Sequence, residues 1–169
     1  MRKYEFGSRG GLQRPMPYRQ SKGTLEDFLK AEEHILRGIS TRAPLPRVLN
    51  GICSALDCQI GNVVSLILLP GGDASELAAI ARNAEAFGLH IFFSEGIVAE
   101  SGEDLGSLEI YCCVPRSPCS RELRLIERAS CLAALAIKFD IERDHQGNFG
   151  LSGNRTVRAR IIDWPVSMN

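Results

Sequence analysis

Residues 101–118, SGEDLGSLEIYCCVPRSP, hold the reading that decides the fold. Ser101, Gly102, Glu103 and Asp104 are turn formers. After them Leu108, Ile110, Cys112 and Val114 alternate with Ser107, Glu109, Tyr111 and Cys113, the period of a half-buried strand. Pro115 and Pro118 stop it, because proline has no N–H to give a ladder. Adjacent residues of a regular strand point to opposite faces, so Cys112 and Cys113 cannot both enter a core. Upstream, LHIFFSEGIVAES at 89–101 has the same character, and the pattern predicts two or three antiparallel strands joined around Gly96 and at the 101–104 turn.

Downstream, Ser120 is placed to cap a long helix running to about His145. Projected at helical spacing it has two apolar directions, one of Leu123, Ile126, Ala133, Ile137 and Ile141, the other of Leu125, Ala129, Leu132, Ala136 and Phe139. One direction serves a sheet. The second needs another helix, either an N-terminal helix of the same chain or its copy in a second subunit.

That N-terminal helix begins at Thr24, whose capping box is completed by Asp27, and it aligns Leu25, Phe28, Ile35, Leu36 and Ile39. After STRAPLP, a second helix buries Leu45, Val48, Leu49, Ile52 and Leu56, with Pro44 or Pro46 in its first turn. NVVSLILLP at 62–70 is apolar on both faces and reads as a central strand ended by Pro70. The alanine-rich run after Asp73, with Glu76 to complete a cap, reads as a short helix stopped by Gly88.

A chain of 169 residues with 44% hydrophobic content fits one domain with extensions and needs no disulfide or metal to hold it. Twenty basic and twenty acidic residues balance, so no global field draws it to nucleic acid or acidic lipid. Six cysteines within core elements read as free thiols of a reducing compartment. Residues 1–23 carry six basic residues with little periodicity and no apolar signal core, and no later run is long enough for a bilayer, so a soluble cytoplasmic protein is expected. The domain boundaries fall at 1–23, a basic segment, 24–145, the folded domain, and 146–169, a tail in which Val157, Ala159 and Ile161 alternate as an edge strand would.

The order helix, helix, strand, short helix, strands, long helix resembles a GAF domain, in particular those of bacterial sensor kinases and cyclic di-nucleotide signalling proteins. The resemblance rests on Gly88 and Leu89, the strand 91–94, Ser101 and Gly102, Leu105 and Gly106, Ile110 and Tyr111, Pro115, Arg116 and Pro118, then Leu125, Ile126, Glu127, Arg128, Ala129, Leu132, Ala133, Ala136 and Ile137. It covers residues 88–138, with a weaker likeness in order and spacing over 25–70. It implies an α/β (α+β) fold, a central mostly antiparallel sheet with the N-terminal and C-terminal helices packed on one face. Two departures stand out. FSEGI at 93–97 replaces the family's tryptophan-serine-x-proline-isoleucine, and only residues 71–87 occupy the interval where relatives place the strands and loops that roof a ligand. The resemblance therefore implies a regulatory, signal-transduction or protein-interaction module with a reduced or absent pocket, homodimeric, and signalling through a regulatory partner in trans.

The candidate interface residues are Leu25, Phe28, Ile35, Leu123, Ile126, Ala133 and Ile137. A small-molecule-binding GAF sensor is the first alternative, with His90, Phe93 and Glu95 as pocket candidates for an unknown small molecule. A thiol-dependent redox enzyme or sensor is the second, with Cys112, Cys113 and Cys119 as its candidates, although cysteines as small hydrophobes explain the same pattern. His34 lies on a helix without the features of a phosphoacceptor. No catalytic set, phosphate-binding glycine loop or C-x-x-C unit is present, so neither catalysis, a cofactor nor a metal is expected. Arg155, Arg158 and Arg160 form a basic stripe without interleaved aromatics, which is a poor fit to nucleic acid.

Overall fold

A computed structural model describes residues 24–70, 82 and 84–147; of Leu25, and of residues 144–147, only the backbone is described. The expectations placed on residues 1–23, on Asp73 and Glu76, and on the tail with Arg155, Val157, Arg158, Ala159, Arg160 and Ile161 lie outside the described residues. The fold is mixed α+β: α1 (Leu25–Ser40), α2 (Leu45–Ile60), β1 (Val63–Leu68), β2 (His90–Val98), β3 (Asp104–Cys112) and α3 (Ser120–Gly147).

The capping box forms as its residues require: Asp27 N–H donates to Thr24 Oγ1 at 3.2 Å, and Thr24 N–H returns a bond to Asp27 Oδ2 at 2.9 Å. The Thr24 hydroxyl, which donates to Asp27 Oδ2 at 2.7 Å, and the Thr24 N–H hold the Asp27 carboxyl below its ordinary range. Pro44 stands at the N-cap of α2 and Pro46 within its first turn, where a missing N–H costs nothing. Leu45, Val48, Leu49, Ile52 and Leu56 are all buried.

The three strands are antiparallel in the order β1-β3-β2, and β3 is the centre. Among the described residues β1 is therefore an edge strand, not the central one that its two apolar faces imply. Burial on two faces reports what covers a strand above and below, whereas position in a sheet depends on hydrogen bonding in its plane. On one face Ile67, Leu108, Ile110 and Cys112 meet the helices. On the other, Leu66 and Tyr111 are covered by Ala84 and the half-buried Leu89.

That cover is set by a Schellman ending: Leu89 N–H donates to Ala84 O and Gly88 N–H to Glu85 O, both at 2.9 Å, with Gly88 at φ 68°. Gly88 thus stops a helical turn as its sequence position predicts. Gly96 does not break the strand. β2 runs through it from His90 to Val98, and one hairpin joins β2 to β3, so the 89–112 region holds two strands. The irregularity sits elsewhere, at register shifts between Ile91 and Phe93 and between Ile97 and Val98, the first placing both Phe92 and Phe93 against the helix-side core.

The helices form a layer on one side of the sheet. Gln59 fixes their directions: its Nε2 donates to Thr24 O at 2.9 Å, and its Oε1 accepts from Arg121 at 3.2 Å. The C-terminal end of α2 therefore meets the starts of both α1 and α3. At the opposite end, Ile39, Ser40 and Leu45 line one cleft with Ala136, Phe139 and Arg143. So α1 and α3 run parallel and level with each other, and α2 runs antiparallel to both.

Candidate assembly surface

The two apolar directions of α3 merge in the fold. Ile126, Ala129, Leu132, Ala133, Ala136 and Ile137, drawn from both, are buried together, because the sheet occupies one side of the helix and α1 with α2 the other. Four candidate interface residues, Ile35, Ile126, Ala133 and Ile137, are thereby used up in the chain's own core. Phe28 is half-buried, Leu123 is exposed, and the Leu25 side chain lies outside the description.

Besides Leu123, a different set remains uncovered on these helices. On α1, Leu29 and Leu36 are 55% and 39% exposed; on α3, Leu135 and Phe139 are 38% and 53% exposed. Leu36 leaves the buried stripe that its spacing predicts because α1 rests on α2 and α3 along only one flank of its apolar arc, through Ile35 and Ile39. In projection the arc runs from Ile35 through Ile39 and Glu32 to Leu36 and Leu29, with Glu32 at the boundary between the buried and open halves. Across that boundary Glu32 Oε1 accepts from Arg128 Nε of α3 at 2.9 Å and also from Arg128 Nη2, and the pairing raises the Arg128 guanidinium further above its ordinary value. In projection Arg128 lies between Phe139, on its core side, and Leu135, away from the core. The exposed side chains of the two parallel helices thus flank one ion pair as a single apolar band. No family model and no curated protein matches this chain. The chemistry of the band is therefore read from its own residues.

Charges of both signs stand beside the band. Next to Leu29 and Leu36 on α1 stand Glu33 and Glu26, both exposed, each with a basic neighbour one turn on, Arg37 and Lys30 respectively, both at 2.6 Å. Next to Leu135 and Phe139 on α3 stand Arg124, Arg128 and Glu142, while Arg121 reaches back to Gln59.

The remaining candidates are scattered. His90 and Glu95 are exposed on β2 and Phe93 is half-buried, and none of them lines the cleft of about 280 Å³ that opens between the end of α1, the start of α2 and the second half of α3. That cleft has an apolar floor of Ile39, Leu45, Val48 and Ala136 and a polar rim that includes Arg42 and Glu142. Cys112 is buried and donates its thiol to Val114 O at 3.0 Å, while Cys113 and Cys119 are exposed. Val114 lies beyond the end of β3 and is exposed, so it does not continue the buried face. Among the described residues no group of three or more His, Cys, Asp and Glu side chains could hold a metal ion, and no helix is long and apolar enough to cross a membrane.

One polar cluster escaped the sequence reading. Leu123 N–H donates to Cys119 O, which makes Cys119, not Ser120, the cap of α3. Glu122, 2% exposed, accepts from Cys119 N–H at 2.9 Å and from both Arg116 nitrogens at 2.8 and 2.9 Å. The Arg116 guanidinium lies 4.4 Å from the centre of the Phe92 ring. Its bonds to Glu122, with the Cys119 N–H, hold the carboxyl down at about 2. The signal was present in the sequence as a glutamate at the third helical position counted from 119, masked by the serine at 120.

Proposed function

We propose that the chain is a non-enzymatic, GAF-like regulatory and interaction module of a bacterial signalling system, acting in the cytoplasm, whose working surface is the paired helices α1 and α3. The observation that carries this reading is the apolar band of Leu29, Leu36, Leu135 and Phe139, exposed together on two neighbouring helices. Soluble domains cover most large apolar side chains, and four along one helix pair form a patch of the kind that marks an interaction site. The motif series from Gly88 to Ile137, laid on an antiparallel sheet with helices on one face, supports the GAF-like assignment. The occupant proposed for the band is a second copy, and a signal would act by shifting the pairing of the helices, with the output delivered to a regulatory protein in trans.

Sedimentation over a concentration series tests the reading. Wild-type protein is expected to dimerise reversibly, and Leu36→Glu combined with Phe139→Glu to be monomeric with an unchanged far-ultraviolet spectrum. A wild type that stays monomeric throughout would refute it.

The 280 Å³ cleft favours a second reading, a small-molecule sensor whose ligand enters between the helices and not beside Glu95. Ligand-induced amide shifts confined to Ile39, Leu45 and Phe139 would support that reading. The thiol reading loses Cys112, whose thiol is buried and bonded to a backbone carbonyl, and keeps only the exposed Cys113 and Cys119.

A further inference from the structure

The cleft between the end of α1, the start of α2 and the second half of α3 lies where the described part of the chain ends. Arg143 lines it, and α3 stops at Gly147, one turn further on, so residues 148–169 begin beside it. Its floor of Ile39, Leu45, Val48 and Ala136, with the exposed ring of Phe139, is surface that an apolar occupant would take out of water. A volume of about 280 Å³ holds one large aromatic side chain with an aliphatic neighbour. Of the charged residues that line the cleft, Asp140 and Arg143 bond to each other, which leaves exposed Glu142 on the α3 wall and exposed Arg42 on the wall beyond α1.

The chain carries a segment that matches these features. Ile161, Ile162, Trp164 and Val166 make an apolar run, with Arg158 and Arg160 before it and Asp163 inside it. A segment returning along α3 meets Glu142 first, with its arginines, and Arg42 next, with Asp163, so opposite charges fall together. Gly147, Gly150 and Gly153, with Asn148 and Asn154, are residues that let a chain reverse. Residues 148–160 can extend by roughly 3.3 Å each, several times the one-turn step back to Arg143. A contact made over so short a connection works at an effective concentration on the order of millimolar, so modest complementarity is enough to fill the cleft.

Other seats for this segment are poorer. On β1 the Ser65 N–H already donates to Asp57 Oδ1 at 2.8 Å, and along β2 an added strand meets two register shifts. Residues 1–23 join α1 at its far end and hold no comparable apolar run, so they are a poorer occupant. We propose that residues 161–166 dock in this cleft of their own chain, with the Trp164 ring on the apolar floor beside Phe139, Asp163 toward Arg42 and the arginines toward Glu142. The docking needs no second copy. Because Phe139 also belongs to the band on α1 and α3, the docked segment covers one end of that band.

Trp164 is the only tryptophan of the chain, so its emission reads the docking directly in the full-length protein. The expected result is emission at shorter wavelength than in urea, several-fold weaker quenching by acrylamide, and no dependence of either on protein concentration. Phe139→Ser, and separately Arg42→Glu combined with Glu142→Lys, are expected to return both readings toward their urea values while the far-ultraviolet spectrum stays that of wild type. Native emission equal to that in urea would overturn the proposal and leave the cleft to a small molecule. Shielded emission that both variants leave unchanged would overturn it by placing Trp164 elsewhere, and shielding that grows with protein concentration would do so by placing the segment on a second copy. Should Phe139→Ser lose helix, the charge-reversed variant, altered only at exposed rim positions, carries the test alone.

Discussion

Glu122 and Gly106 show how much one residue can fix. Glu122 joins the loop after β3 to the first turn of α3, and its carboxyl is held at about 2, against an ordinary value of 4.5, by the Arg116 bonds and the Cys119 N–H. A depressed folded-state value means that the ionised carboxylate stabilises the fold above the unfolded value. That contribution falls away between pH 4.5 and 2 as the group takes up a proton. Glu122→Gln is expected to cost about 2 kcal/mol at pH 7 and to flatten the loss of stability over that acid interval, measurable by urea titration at a series of pH values. Gly106 has φ 136°, and a Cβ there would run into the Leu68 carbonyl oxygen of the neighbouring strand. Gly106→Ala should therefore destabilise by about 3 kcal/mol, seen as a lowered thermal midpoint. The sequence marks Gly106 only as part of a Leu-Gly step; the requirement comes from β1, a chain neighbour that local pattern does not identify.

At the scale of elements, the helices were legible wherever their signals are local. Thr24 with Asp27, the prolines before and within α2, and Gly88 after the alanine-rich run each act within one turn, and each holds in the fold. Thr24→Ala removes the hydroxyl that accepts the Asp27 N–H and is expected to cost about 1 kcal/mol. The Thr24 carbonyl is also bound by Gln59, so hydrogen exchange should quicken in the first turn of α1 before it does so in α2. Strand order was less legible. β1 carries the apolar density of a central strand, yet β3, with its polar Ser107 and Glu109, is the one paired on both sides. The cap of α3 was misplaced by one residue for a related reason: the preference for serine at a cap is a local tendency, and it yields to the bonds that buried Glu122 makes with Arg116 and the Cys119 N–H.

For the molecule as a whole, large apolar side chains do stay exposed on the helices, while Ile35, Ile126, Ala133 and Ile137 of the expected interface are buried. A helical projection counts apolar residues on α3 without knowing that the sheet, α1 and α2 together cover an arc wide enough to take in both stripes. Four of the uncovered residues border one another, Leu36 and Phe139 from the stripes and Leu29 and Leu135 from outside them. Only the relative placement of α1 and α3, set by Gln59 and by the Glu32 to Arg128 bond, turns these four into one surface. The register breaks in β2 bear on the same question from the opposite side of the fold. A strand from another molecule laid along β2 would lose step at Phe92 and again at Val98, so head-on growth of the sheet into filaments is disfavoured where the ladder is most accessible. Open-ended growth of a fibre along that strand would have to cross both breaks in step.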